Sequence, residues 1–157
     1  MKASIYMETT IPSYYTARTS RDVVIAGHQA TTRDWWNCRL SHFRIFISQI
    51  VIDEAAAGDA DMAKLRLAAI KPFPLLDLRD DVTDLARSFI EGGPLPDKSA
   101  RDALHIAAAA VHGMDFLLTW NCAHIANAEM MPRLTNICRA HGYESPVICT
   151  PDELMGV

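Results

Sequence analysis

Apolar residues follow two patterns along the chain: short continuous runs bounded by polar residues, glycine or proline, and longer stretches in which they recur at helical spacing. Ser4-Ile5-Tyr6-Met7, Arg44-Ile45-Phe46-Ile47, Phe116-Leu117-Leu118 and Val147-Ile148-Cys149 are of the first kind and read as strands. Leu75-Leu76 follows Pro72 and Pro74, which confine it to a short or edge strand. Glu8-Thr9-Thr10 and then Pro12 end the first strand, and Pro12 disfavours helix at the residue before it.

Between these runs the spacing predicts helices. One stretch, from about Ser20 to Leu40, has Thr19 or Ser20 as cap and offers Val23, Val24, Trp35, Trp36 and Leu40 to an inner face. Gly27 and Thr31-Thr32 weaken its middle, so it reads as one bent helix or two. Ser48 opens and caps a short helix through Ile50, Val51 and Glu54 that stops at Gly58. Asp59 begins another, with Met62, Leu65 and Ala69 on one face. Further helices are expected near Asp81 to Ile90 and from about Ala128 to Ala140. The stretch Arg101 to Asn121 is the most distinctive. Its helix, Ala103 to Val111, is apolar nearly all round, Asp102 stands at its start, Gly113 stops it, and Thr119-Trp120-Asn121 follows the next strand.

Strands alternating with helices predict an α/β fold, a three-layer α/β/α sandwich around a mostly parallel sheet, in one domain spanning residues 1–157. Half the residues are hydrophobic, enough for a real core. The N-terminus MKASIYMETT lacks a secretory pattern and no apolar run is long enough to span a membrane, so a cytoplasmic protein with no membrane partner is expected. The four cysteines are far apart, which suggests reduced thiols rather than disulfides or a zinc site. A formal net charge of −4 leaves any nucleic-acid contact to a local basic patch. No glycine-rich phosphate loop occurs in the second half of the chain.

Glu8, Glu54, Asp102 and Asn121 each lie at a strand end or in the first turns of the helix that follows, the edge where open α/β sheets keep their ligands. If they converge, the carboxylates repel by roughly 4 kcal/mol at about 4 Å and an effective dielectric near 20, so protons or a cation must neutralise them. Mg²⁺ or Mn²⁺ prefers such oxygens. Either ion could hold a phosphodiester and acidify an attacking water.

Tyr6-Met7-Glu8-Thr9-Thr10, Ser48 with Glu54 and Gly58, Asp102-Ala103-Leu104-His105-Ile106-Ala107-Ala108-Ala109 and Leu118-Thr119-Trp120-Asn121 together resemble, in order and spacing, the PIN-domain ribonucleases, and within them the VapC-like toxins of type II toxin-antitoxin systems. The resemblance covers most of the chain. It implies the α/β/α sandwich, Mg²⁺- or Mn²⁺-dependent cleavage of RNA at Glu8, Glu54, Asp102 and Asn121, and a protein antitoxin that inhibits it. A homodimer follows by the same analogy. The commonest family pattern has Asp where this chain has Glu8 and Asn121, which favours one metal over two.

Two rivals stand beside this reading: a catalytically weakened PIN-fold module that binds RNA or protein, and an α/β phosphatase with an aspartyl nucleophile, for which the first strand should carry Asp rather than Glu8. Asp53 competes with Glu54, and the frame of Ser48 and Gly58 selects Glu54. Asp97 reads as an N-cap, pointing about 140° away from Asp102 around a helix. Asn121 has a turn cap as its alternative role. Thr9 and Thr119 are candidates to hydrogen-bond the carboxylates, His105 reads as a satisfied core histidine, and Cys122-x-His124 lacks the second pair that zinc needs. Trp35 and Trp36 read as core or partner interface rather than base-stacking platforms. Arg18, Arg21, Lys98 and Arg101 are the candidates for phosphate contact, with solvated surface as the simpler reading. Asp115 lies at the strand end opposite Asn121 and is expected at the surface.

Overall fold

Strand β1 (Ser4–Met7) is buried along its whole length, as a central strand flanked on both sides must be. β2 (Arg44–Ser48) and β4 (Phe116–Leu118) pair with it in parallel, aligning Ile5 with Ile45 on one side and with Phe116 on the other. β3 (Leu75–Leu76) and β5 (Val147–Cys149) complete a five-stranded parallel sheet in the order β3-β2-β1-β4-β5. The computed structural model describes residues 1–157. Seven helices connect the strands: α1 (Thr10–Thr16), α2 (Val23–Cys38), α3 (Gln49–Ala55), α4 (Ala60–Ile70), α5 (Asp80–Glu91), α6 (Ala100–Val111) and α7 (Met131–Ala140). The result is the expected three-layer α/β/α sandwich.

The strand order reverses between β1 and β4. From β1 the chain winds outward to β2 and β3, then returns to place β4 on the other side of β1. Loops leaving two such neighbours diverge above and below the sheet, which opens a crevice at their C-terminal ends. Glu8 and Thr119 are the first residues beyond those two ends. The ladder continues past the strands, with Glu8 N–H donating to Leu118 O at 3.0 Å and Thr119 N–H to Cys149 O at 3.0 Å, so both residues are fixed by the sheet. At the opposite end, exposed Asp115 accepts from the Ser4 amide at 2.8 Å and its hydroxyl at 2.9 Å, joining β4 to β1.

In α6, Ala103 and the run Ile106 to Ala110 are buried, with Ala107, Ala108 and Ala109 fully inaccessible. Small side chains let the helix lie close to α5, α3 and β4. Ala108→Leu is therefore expected to overpack this seam, costing roughly 1–3 kcal/mol and lowering the thermal midpoint by roughly 2–12 °C. A melting curve identical to that of the unmodified protein would show that the seam has room.

Several helices differ from expectation. Pro12 lies inside α1, which the strand-and-turn reading of that segment did not anticipate; at the third helical position its missing N–H falls among donors that have no intrahelical partner. α2 is one continuous helix capped by Asp22, which accepts from the amides of Val24 and Ile25, and not by Thr19 or Ser20. Its buried positions are Gln29, Thr32 and Trp35, whereas Val23 and Val24 are 85% and 65% exposed. Val24 is in phase with Trp35, so the helix end projects beyond the body it would need to cover it. In α4 the inner positions are Ala63 and Ile70 with Leu67 packed behind them, and Leu65 faces out; the expected spacing is present but rotated by one residue in an alanine-rich segment. α7 starts at Met131 rather than Ala128 because Asn127 turns the preceding loop, its side chain accepting from the Glu129 amide. Asp97 begins a 3-10 turn without capping it.

Candidate functional site

Glu8 is only 4% exposed, yet no lysine or arginine pairs with it. One carboxylate oxygen, Oε1, accepts from the Thr10 hydroxyl, the Thr10 amide at 3.1 Å and the Thr119 hydroxyl at 2.7 Å. Oε2 accepts from no protein group and is not sealed from solvent. Burial raises the pKa of this carboxyl, against the opposing pull of His105 and the threonine hydrogen bonds.

Glu54 reaches the same place from α3. Its Oε1 accepts from the Thr9 hydroxyl at 2.7 Å and lies 2.6 Å from His105 Nε2. Burial pulls this carboxyl upward as well, but the hydrogen bond and charge of His105, with Thr9 and Arg101, outweigh it and hold Glu54 below the usual carboxylate range. Glu8, Glu54 and His105 offer ligand atoms that all lie within 4.8 Å of one another. Asp53, the rival of Glu54, is exposed and bonded to Gln49.

His105 is fully buried on α6, and its ring is satisfied on both nitrogens: Nε2 by Glu54, and Nδ1 by the Tyr6 hydroxyl at 2.6 Å, which in turn is 2.8 Å from Ser48 Oγ. In a neutral His105 only the Nε2–H tautomer can donate to Glu54. Nδ1 then accepts from Tyr6 O–H, and the Tyr6 oxygen accepts from Ser48 O–H. The core-histidine expectation is right about satisfaction, but its partner is a site carboxylate. The sequence reading takes Tyr6 as a strand residue of the first motif and gives its hydroxyl no role; only its position two residues before Glu8, on the same face of β1, points to one.

Asp102 and Asn121 form a second group. Asn121 Nδ2 donates to Asp102 Oδ1 at 3.2 Å, and Asn121 Oδ1 accepts from the His124 amide at 3.1 Å, so the amide both caps a turn and holds Asp102. His124 Nδ1 lies 3.2 Å from Asp102 Oδ2. Sequence spacing marks His124 only as half of an incomplete zinc pair; its link to Asp102 depends on a fold in the loop after β4. The Asn121 amide N–H donates to the Thr119 hydroxyl at 2.9 Å, and that hydroxyl donates to Glu8, so the two groups share one network.

Three helices give up a cap to build this network. Thr9, Ser48 and Ser99 occupy the N-cap positions of α1, α3 and α6, and none of their side chains caps its helix. Thr9 goes to Glu54, Ser48 to Tyr6, and Ser99 to His124 at 3.3 Å. A Ser or Thr cap contributes about 1 kcal/mol, so local helix stability is spent on orienting site side chains. Ser48 was expected to cap; the hydroxyl is instead bonded to Tyr6.

The donor set suits a hard cation. Glu8 Oε2 and the Glu54 carboxylate could offer oxygen ligands at one edge, Asp102 lies outside that cluster and reaches it only through Asn121 and Thr119, and His105, with both nitrogens engaged, orients Glu54. All four cysteines are free, and none belongs to the cluster. No family model matches the chain, and no curated protein matches it.

Proposed function

We propose that the protein is a metal-dependent endoribonuclease of the PIN-like kind, with Mg²⁺ or Mn²⁺ held by Glu8 and Glu54, and Asp102 contributing directly or through water. One observation carries the reading: a nearly buried carboxylate and a second one stand within 4.8 Å at the topological switch point, with no basic side chain in ion-pair contact with Glu8. Two such charges repel by roughly 3–4 kcal/mol at an effective dielectric of 20, which a divalent cation would reverse. When bound, that cation acidifies water and neutralises charge on a phosphodiester. The protein supplies the rest: Thr10 and Thr119 fix one oxygen of Glu8, His105 and Thr9 fix Glu54, and Asn121 fixes Asp102.

The motif resemblance supports RNA as the substrate and a protein antitoxin as inhibitor. The exposed apolar residues Val23, Val24 and Leu65 give an antitoxin or a second copy of the chain surface to cover. A cytoplasmic location belongs to the same proposal; no helix is long and apolar enough to cross a membrane.

The test is cleavage of single-stranded RNA. It is expected to need Mn²⁺ or Mg²⁺, to stop in chelator, and to fall about 10- to 100-fold in Asp102→Asn. Metal-independent cleavage untouched by that substitution rules the proposal out. The weakened-module alternative draws on Asn121, whose amide oxygen is engaged by the His124 N–H. Calorimetry with Mn²⁺ decides between them, since folded protein that takes up no metal at millimolar concentration is a module.

A further inference from the structure

Tyr14, Trp120 and His28 form a half-buried aromatic cluster beside the site. His28 stacks on Trp120 with ring centres 4.0 Å apart and planes 11° from parallel, and Tyr14 lies 6.2 Å from Trp120 at 20°. The cluster is tied to the site through backbone and side chain. Trp120 sits between Thr119 and Asn121, its amide donates to the Thr10 hydroxyl at 2.8 Å, and that hydroxyl is bonded to Glu8. Its indole N–H donates to Thr32 at 2.7 Å, which fixes the ring plane.

Tyr14 also borders an open cavity of about 390 Å³ lined by Arg18, Gln29, Asp59, Met62 and Arg66 among others. Arg18 is exposed and forms no ion pair. Arg66 donates Nε and one terminal nitrogen to the carbonyls of Ala55 and Ala57, at the C-terminal end of the helix that carries Glu54, and its other terminal nitrogen has no protein acceptor. Asp59, the one acid on the wall, is committed to capping α4 through the Met62 amide. Gln29 is buried and bridges the Ser20 amide and the Arg18 carbonyl, which holds the segment carrying Arg18 against α2. The cavity is thus joined to Glu8 through the Tyr14–Trp120 stack and the Trp120–Thr10–Glu8 hydrogen bonds, and its wall carries two guanidinium groups.

A tyrosine ring on the wall of a cavity that also carries two arginines suits one class of ligand, single-stranded nucleic acid, whose bases stack while its phosphates pair with arginine. A duplex hides its base faces and cannot use the rings. We propose that this cavity and its aromatic wall hold the RNA segment flanking the scissile phosphodiester, with a base against Tyr14 and backbone phosphate at Arg18 and Arg66. The inference rests on the nuclease reading for the identity of the strand but not for the existence of the site.

Binding is measured in EDTA, where the proposed cleavage is silent, by fluorescence anisotropy with a labelled 12-nucleotide single-stranded RNA and its duplex. Single strand is expected to bind more tightly than duplex. Tyr14→Ala is expected to weaken it about tenfold or more, with Tyr14→Phe close to the unmodified protein because the ring remains. Arg18→Gln, at an exposed position, is expected to reduce the slope of log affinity against log salt by about 0.7. Absence of single-strand binding, equal binding of duplex, or full affinity and unchanged salt slope in both Tyr14→Ala and Arg18→Gln overturns the proposal. Mn²⁺-dependent cleavage is scored separately, so a nuclease without this groove and a groove without nuclease activity give different results.

Discussion

His105→Leu is expected to weaken Mn²⁺ binding about 10- to 100-fold and to lower unfolding free energy by about 2–4 kcal/mol. Both effects follow from one ring. It separates the Tyr6 hydroxyl from the Glu54 carboxylate, touching each at 2.6 Å, and it is fully buried where it does so. Leucine fills much of the volume but leaves the phenol with Ser48 alone and Glu54 with Thr9 alone. The Glu54 side chain is 23% exposed, so water recovers part of its loss, and the destabilisation stays below the cost of stranding a fully buried charge. A purely structural role and a positioning role are separated by amide substitutions. Glutamine places an N–H near the position of Nε2 and is expected to restore most of the metal affinity. Asparagine is too short to reach Glu54 and is expected to restore little. Calorimetry with Mn²⁺ beside thermal melts checks this, and a leucine variant that binds Mn²⁺ as well as the unmodified protein would show that Glu54 needs no histidine.

How far the sequence discloses this site depends on the kind of contact. Strands and their order of burial are legible because runs such as Phe116-Leu117-Leu118 need only local composition, and the parallel arrangement follows from the helices between them. Glu8 and Glu54 are legible because each follows a strand that must end at the same edge. Pairings across the fold are not. Nothing local tells whether Thr9, Ser48 and Ser99 cap their helices or turn away, because the choice depends on carboxylates and rings supplied by other elements. Val23 and Val24 mislead for a related reason: an amphipathic pattern states which side of a helix is apolar, but not whether the neighbouring layer extends far enough to cover its end. Tyr6 is hidden differently, since an aromatic residue in a buried strand looks like core until its hydroxyl is found between Ser48 and His105.

In EDTA the contribution of Glu8 is expected to make the protein less stable as pH rises above about 4.5, with a limiting slope of about 1.4 kcal/mol per pH unit. The sign follows from burial. The folded Glu8 carboxyl titrates above the ordinary glutamate value of 4.5, so between those two values the native state holds the proton more firmly than the unfolded chain, and each further rise in pH through that window favours unfolding. Glu54 acts on the other side. Its folded pKa lies below 4.5, so the stability it adds is complete above that value and is lost as pH falls through the depressed one. Together the pair places its optimum near pH 4.5 when no cation is present. Glu8→Gln removes the upper limb alone, because an amide keeps the oxygen that Thr10 and Thr119 bond and puts an uncharged NH₂ where Oε2 has no partner. At pH 7.5 in EDTA the variant is therefore expected to melt above the unmodified protein. Saturating Mn²⁺ is expected to reverse that order: at 100 times its dissociation constant a ligand adds about 2.7 kcal/mol, or roughly 5–11 °C for a domain of this size, and the variant has lost the charge that earns it. Melting curves across pH 4.5 to 8, with EDTA and with Mn²⁺, check both halves. If stripped protein and variant show the same pH dependence, the charge on Glu8 is already balanced by the threonines and His105, and the electrostatic case for a cation at this edge fails.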